Sequence, residues 1–175
     1  MKKLEKYYGK IISTCTGSDP KYKNVKGIDI LSSIIENNNL NDKFLCFGVD
    51  ESNDSKINRI KLSHFDFLNV LEHSLCYIQL SRFESYNITA VEAKQLKIPI
   101  ILSNVEGHLD SVGYGILTDF DSSESIILNF FNNGIDKKIV EENYKSSLKN
   151  ESLNSFFNEF NKVDDVLDEI IITSE

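Results

Sequence analysis

The chain has 175 residues, of which 41% are hydrophobic and 26% charged, as is ordinary for one globular domain with a real core. A formal net charge of −8 argues against non-specific nucleic-acid binding, which needs a basic surface. No apolar run approaches the roughly 20 residues that a membrane span needs, and no signal-peptide region follows the basic N-terminus. We therefore expect a cytoplasmic protein.

Six short runs bounded by turn residues predict β-strands. They are Lys10–Thr16, Lys43–Gly48, Ile57–Leu62, Leu75–Leu80, Pro99–Leu102 and Tyr114–Thr118.

Apolar residues at helical spacing lie between these runs. Ser63 or Asp66 could cap a helix whose apolar side extends to Leu75, and Asp121 with Glu124 has capping-box spacing. Residues 88–96 predict a short helix, and from residue 136 onward the whole pattern is helical, with an apolar stripe over 153–171.

Alternating strands and helices indicate βαβ units and a mainly parallel sheet. No internal repeat or linker interrupts the pattern. We predict one doubly wound α/β domain over residues 1–175, with a core at about 8–135 and C-terminal helices at about 136–175.

Cysteines and histidines give no sign of a metal site. Cys15, Cys46 and Cys76 are an odd number of thiols in or beside apolar runs, which is typical of buried thiols in a reducing compartment. Neither these residues nor the three histidines have metal-ligand spacing. We predict no metal ion and no cofactor.

Two glutamates draw attention to the segment after the fourth predicted strand. Glu84 and Glu92 have seven residues between them, with Glu84 in a loop and Glu92 about two turns into the next helix. Ligands of open α/β sheets bind at the carboxyl ends of the strands, and ionised carboxylates accept hydrogen bonds from hydroxyls. The alternatives are a loop carboxylate that caps the helix and a surface helix glutamate.

The residues around this pair resemble the donor-site signature of retaining glycosyltransferases of family 4, which have the two-domain GT-B fold. The resemblance rests on Phe-Glu-Ser-Tyr-Asn-Ile-Thr-Ala-Val-Glu-Ala at 83–93 and Ile-Pro-Ile-Ile-Leu-Ser-Asn-Val-Glu-Gly at 98–107. Lys26-Gly27 followed by Ile-Asp-Ile-Leu is similar to the start of the C-terminal half in that family. Since the resemblance covers about residues 8–135, it implies that the acceptor-binding half belongs to a longer enzyme or to a partner chain.

For the diphosphate of a nucleotide sugar, the resemblance implies basic side chains and a helix N-terminus instead of a metal ion. Lys26 and the helix that begins near Ile88 would bind it. Family members often place an arginine about five residues before the lysine of Lys-Gly, and Lys21 stands at that position here. The alternative for these lysines is a solvated basic loop.

For the rest of the donor, the resemblance implies that Glu92 accepts hydrogen bonds from the ribose and that Glu84 lies in the catalytic site near the transferred sugar. The family usually has Gly-Phe-Gly between them, where this chain has Ser85, Tyr86 and Asn87. Asparagine tolerates left-handed backbone geometry, so Asn87 could replace a glycine.

The function implied by the resemblance is the donor-binding half of a retaining, metal-independent hexosyltransferase of polysaccharide biosynthesis. It would transfer a sugar from a nucleoside-diphosphate sugar to a glycan or lipid-linked acceptor, working in the cytoplasm or at the inner membrane face. The chain alone would lack full activity. One alternative is a non-catalytic interaction module or partner subunit. A response-regulator-like domain is a weaker alternative, because it needs an acidic pocket where this chain has lysines.

Overall fold

The computed structural model describes residues 4–15, 24–48, 58–112 and 115–148. Lys21 and the apolar stripe over 153–171 lie outside these ranges. The strands are β1 Ile11–Cys15, β2 Phe44–Gly48, β3 Asn58–Ile60, β4 Cys76–Gln79, β5 Ile100–Ser103 and β6 Ile116–Thr118.

The strands form one sheet in the order β3-β2-β1-β4-β5-β6, and all five pairings are parallel. Each of the six predicted strands is confirmed, and the predicted mainly parallel sheet is wholly parallel over the described residues. The chain reverses its direction of travel across the sheet between β1 and β4. In a doubly wound sheet this switch point opens a crevice at the carboxyl ends of the two strands.

Helices cover both faces of the sheet. Those within the described ranges are α1 Ile28–Asn37, α2 His64–Glu72, α3 Ile88–Gln95, α4 Glu106–Val112, α5 Phe120–Asn133 and α6 Lys137–Leu148. Two short 3-10 turns, Glu5–Tyr7 and Asn41–Lys43, precede β1 and β2.

The core consists of two apolar clusters, one on each face of the sheet. Ile11 belongs to the cluster beneath α1 and α5, whereas its neighbour Ile12 belongs to the cluster beneath α2 and α3. Successive side chains of a strand point to opposite faces, and strands covered on both faces become apolar throughout. The doubly wound α/β prediction is therefore confirmed. Cys46 and Cys76 are buried free thiols, as predicted.

Several predicted helix boundaries differ from the structure. Ser63 does cap α2, since its Oγ accepts from the backbone N–H of Asp66 at 3.1 Å. However, α2 ends at Glu72, and Leu75 is 46% exposed where the chain enters β4.

The predicted capping box at Asp121 is wrong. One residue, Asp119, separates β6 from α5, so the helix has begun before Asp121 is reached. The sequence analysis predicted no helix at the position of α4.

None of the described helices has the length and apolar character needed to cross a membrane.

Candidate functional site

A cavity of about 570 Å³ opens at the carboxyl edge of the sheet, over the switch point. The structure brings six of the eight predicted site residues to its lining: Lys26, Glu84, Tyr86, Asn87, Ile88 and Glu92. Ser85 lies instead beside a neighbouring cavity of about 390 Å³, and Lys21 is outside the described residues.

Lys26 and Glu84 form an ion pair at the centre of the crevice. Lys26 Nζ lies 2.5 Å from Glu84 Oε2, and the side chains are 23% and 9% exposed. The backbone carbonyl of Lys26 accepts a hydrogen bond from Gln79 Nε2 at 2.7 Å, which fixes the lysine above the end of β4. Lys26, predicted to bind the diphosphate, and Glu84, predicted to lie near the transferred sugar, therefore contact one another.

Two glycines make this close approach possible. Gly27 has φ +65°, and a Cβ there would lie 1.7 Å from the carbonyl oxygen of Leu80. A Cβ on Gly107, in the first turn of α4, would lie 2.0 Å from the carbonyl oxygen of Glu84. The backbone of the loop that carries Glu84 therefore packs directly against Gly27 and Gly107, and neither glycine position has room for a side chain.

Arg82 links the loop that carries Glu84 to the loop that carries Lys26, from outside the larger cavity. Its guanidinium donates two hydrogen bonds of 2.7 Å to the carboxylate of Asp29, and its backbone N–H donates to Val25 at 2.8 Å. Such a bidentate pair fixes orientation as well as distance. Arg82 consequently positions the Lys26 loop, and it lines the smaller cavity instead of the larger one.

Asn87 caps α3 and is itself held by a buried histidine. Its Oδ1 accepts from the backbone N–H of Ala90 at 3.0 Å, while its Nδ2 lies 3.1 Å from His108 Nε2. His108 Nδ1 lies 2.9 Å from the carbonyl oxygen of Ser103, so Nδ1 carries the proton and Nε2 accepts from Asn87. Burial lowers the pKa of His108 below its ordinary value, which keeps this tautomer neutral.

Glu92 is the most deeply buried acidic group of the cavity. Its side chain is 5% exposed, and its Oε1 lies 3.2 Å from His64 Nε2. Burial raises the pKa of Glu92 from its ordinary value of 4.5 to about 7. Glu92 is the fifth residue of α3, so it lies about one turn into the helix, whereas the sequence analysis expected two.

The floor of the cavity is polar, with Tyr77 at its centre. The Tyr77 hydroxyl lies 2.9 Å from Thr14 Oγ1, 3.1 Å from Gln79 Oε1 and 3.4 Å from Asn87 Oδ1. Burial raises the pKa of Tyr77, so the group stays a neutral hydroxyl that can donate or accept.

One wall of the cavity is apolar. Phe47, Ile60, Leu62 and Phe67 line it, and the rings of Phe47 and Phe67 meet edge to face with centroids 5.1 Å apart. A flat aromatic ligand can pack against such a wall, while hydroxyls and anionic groups find partners on the opposite side.

The sequence analysis missed Thr14, His64, Tyr77 and His108. Thr14 could have been found, because it lies at the carboxyl end of the first predicted strand, where ligands of α/β sheets bind. The two histidines and Tyr77 had no spacing signal, since each of them contacts at least one residue from another element.

No family model and no curated protein matches the sequence. Solved structures do match in three dimensions. The Anabaena protein HepE in complex with UDP superposes over 93% of this chain with a TM-score of 0.67 and 12% identity. The fold is that of a GT-B glycosyltransferase domain.

Two further GT-B structures show the same similarity. The α,α-trehalose-phosphate synthase (UDP-forming) from Burkholderia vietnamiensis matches over 91% of this chain, with a TM-score of 0.65 and 12% identity. The pneumococcal O-GlcNAc transferase GtfA in complex with UDP and GlcNAc matches over 89%, with a TM-score of 0.63 and 16% identity. The chain spans 51%, 46% and 36% of the lengths of these three GT-B proteins, respectively.

Proposed function

We propose that this chain binds the nucleoside-diphosphate-sugar donor of a retaining glycosyltransferase that acts on a glycan or lipid-linked acceptor. The observation that carries the proposal is the convergence of Lys26, Glu84, Glu92 and the N-terminus of α3 around one cavity at the switch point. The GT-B fold supports it, as do the UDP complexes of two of the similar proteins.

In the arrangement we propose, each part of the donor meets a group of matching chemistry. The ribose hydroxyls donate to Glu92, and the base packs on the apolar wall. The diphosphate lies between Lys26 and the N-terminus of α3, where helix N–H groups and the helix dipole favour an anion. The sugar then lies beside Glu84.

The proposed chemistry requires charge stabilisation at the leaving group. When the bond between the sugar and the diphosphate breaks, its electron pair remains on a diphosphate oxygen. An ammonium has three donors, so Lys26 can hold Glu84 and still stabilise this oxygen. An acceptor hydroxyl that bonds to the anomeric carbon from the face of the departing nucleotide retains the configuration, and its proton passes to the diphosphate oxygen that leaves. This route uses neither a protein nucleophile nor a metal ion.

The acceptor site, in this proposal, comes from another domain or a partner chain at the carboxyl edge. Among the described residues, six of the eight large exposed hydrophobic side chains lie in the loops and first helical turns that follow strands, namely Phe65, Phe83, Tyr86, Ile88, Leu109 and Phe120. Apolar surface concentrated on one edge is typical of an interaction site. With a lipid-linked acceptor, the assembly would work in the cytoplasm at the inner membrane face, in polysaccharide biosynthesis.

A second candidate function is a non-catalytic module with a glycosyltransferase fold. The ion pair between Lys26 and Glu84 favours it, because both charges are satisfied without a ligand. The side chain of Asn87, at a position where the related family usually has glycine, likewise serves its own helix.

Calorimetric titration of the chain with UDP and GDP tests the proposal. We expect one of them to bind, and Glu92→Gln and Lys26→Met each to weaken binding at least about tenfold, the effect of losing a hydrogen bond to a charged group. Glu72→Gln and Lys43→Met change exposed residues outside the cavity and should leave the Kd unchanged. No binding at millimolar nucleotide, or binding indifferent to Glu92→Gln, would reject the proposal. Self-association without nucleotide binding would favour the second candidate.

A further inference from the structure

The contact between His64 and Glu92 joins two helices across the cavity. Glu92 Oε1 lies 3.2 Å from His64 Nε2, and the two residues come from α3 and α2, respectively. Both side chains line the cavity. They differ in exposure, because the carboxylate of Glu92 is buried whereas the ring of His64 is 44% exposed at the cavity mouth.

The local fold fixes where the His64 ring lies. Ser63 caps α2 and has extended backbone geometry, so His64 is the first helical residue. The ring centroid of His64 lies 6.3 Å from that of Phe67, which packs on Phe47 at the apolar wall. The imidazole is therefore placed between this wall and the carboxylate of Glu92.

A donor at this place restricts how the carboxylate can turn. The terminal torsion of a glutamate is broad and roughly two-fold, so an unsupported carboxylate samples many orientations. A ring N–H that donates to Oε1 selects one of them. A carboxylate has about four lone-pair sites, so this hydrogen bond leaves acceptor capacity for two hydroxyls of a ligand.

We propose that His64 is a positioning residue that makes the site prefer a ribose with both hydroxyls over a 2′-deoxyribose. The inference rests on the proposed function, in which Glu92 accepts from the ribose. By holding the carboxylate in one orientation, His64 allows the 2′- and 3′-hydroxyls to be bound together. Without His64, the carboxylate turns to follow a single hydroxyl, and the site loses its preference.

The test compares ribonucleotides with 2′-deoxyribonucleotides at pH 8, where Glu92 is ionised. Calorimetry would give Kd values of UDP, dUDP, GDP and dGDP for the wild-type chain, His64→Leu and His64→Gln. Glu72→Gln is the matched control, because Glu72 is an exposed residue of the same helix and does not line the cavity. Thermal unfolding of each variant shows whether it is folded.

For the base that binds, we expect the wild type to prefer the ribonucleotide about tenfold, as for one lost hydrogen bond to a charged group. His64→Leu should reduce this ratio to less than about threefold, mainly by weakening the ribonucleotide. His64→Gln, which keeps an N–H donor, should restore most of the ratio, and Glu72→Gln should leave it intact.

Two results would overturn the inference, and they differ in what they say about the proposed function. If wild-type chain binds nucleotide but His64→Leu keeps the wild-type ratio, or weakens both nucleotides equally, His64 has no positioning role and donor binding stands. If the wild-type chain binds no nucleotide, the proposed function and this inference fail together.

Discussion

Replacing Glu92 by glutamine should stabilise the ligand-free protein while it weakens nucleotide binding. The Glu92 side chain is 5% exposed, and burial raises its pKa from an ordinary 4.5 to about 7. The folded protein therefore binds this proton more tightly than the unfolded chain does. The stability that the proton contributes is present in full below pH 4.5 and is lost as the pH rises through about 7. Glutamine has nearly the same shape and has no such proton to lose.

The size of the effect follows from the two pKa values. Each pKa unit between the folded and unfolded states corresponds to about 1.4 kcal/mol. As the pH rises from 5 to 8, the folded protein loses the proton of Glu92. This loss should lower the unfolding free energy of the wild type by about 2 to 3 kcal/mol relative to that of Glu92→Gln. Because the carboxylate is buried, solvent screening does little to reduce this difference.

Urea denaturation at pH 5, 6, 7 and 8 measures the effect. The unfolding free energy of Glu92→Gln minus that of the wild type should grow steadily across this series. Glu72→Gln, at an exposed position of α2, controls for the loss of a surface charge and should give a constant difference. A difference for Glu92→Gln that stays constant, or that shrinks with pH, would refute the reasoning from burial.

Three further predictions concern the same cavity. Nucleotide-sugar affinity should increase about tenfold from pH 6 to pH 8, because an ionised Glu92 is the better acceptor. A nucleotide sugar lacks the phosphate group that titrates near pH 6, so the charge of the ligand stays the same over this range. The affinity of Glu92→Gln, measured by calorimetry, should not change with pH. An equal pH dependence of the affinity in both proteins would exclude Glu92 as the cause. Gly27→Ala should lower stability by about 1 to 3 kcal/mol more than Gly134→Ala, because both have positive φ but only Gly27 faces a backbone carbonyl; equal denaturation midpoints would contradict this. Asn87→Ala should lower the unfolding free energy by about 1 to 3 kcal/mol. Asn87→Ser should lower it by less, since serine keeps the helix cap and loses the amide contacts with His108 and Tyr77; equal losses would show that the cap contributes nothing.

The sheet could be predicted from the sequence because its strands are short apolar runs with turn residues at their ends. Parallel strands buried on both faces leave this signal whatever their order. Helix α4 could not be predicted, since it has seven residues with a glycine in its first turn. Glycine disfavours helices, but Gly107 is required here because no side chain fits beneath the carbonyl of Glu84.

The candidate site was predictable as a set of residues at one edge, but not as a set of contacts. Lys26 and Glu84 are 58 residues apart, and they meet because β1 and β4 are neighbours in the sheet. Sequence spacing gives no strand order. The contact between His64 and Glu92 depends in the same way on how α2 and α3 pack, which is why His64 had no signal of its own.

In the proposed function, the ion pair of Lys26 with Glu84 also determines what an approaching donor would encounter. Within the described cavity, Lys26 and Glu84 neutralise each other at the crevice, and the chain as a whole carries a formal net charge of −8. Long-range attraction then does little to draw in an anionic nucleotide. Recognition then depends on short-range contacts, in which phosphate oxygens accept from the N–H donors of Lys26 that Glu84 does not use. A nucleotide sugar would also bring sugar hydroxyls that donate to the Glu84 carboxylate, whereas inorganic phosphate would not.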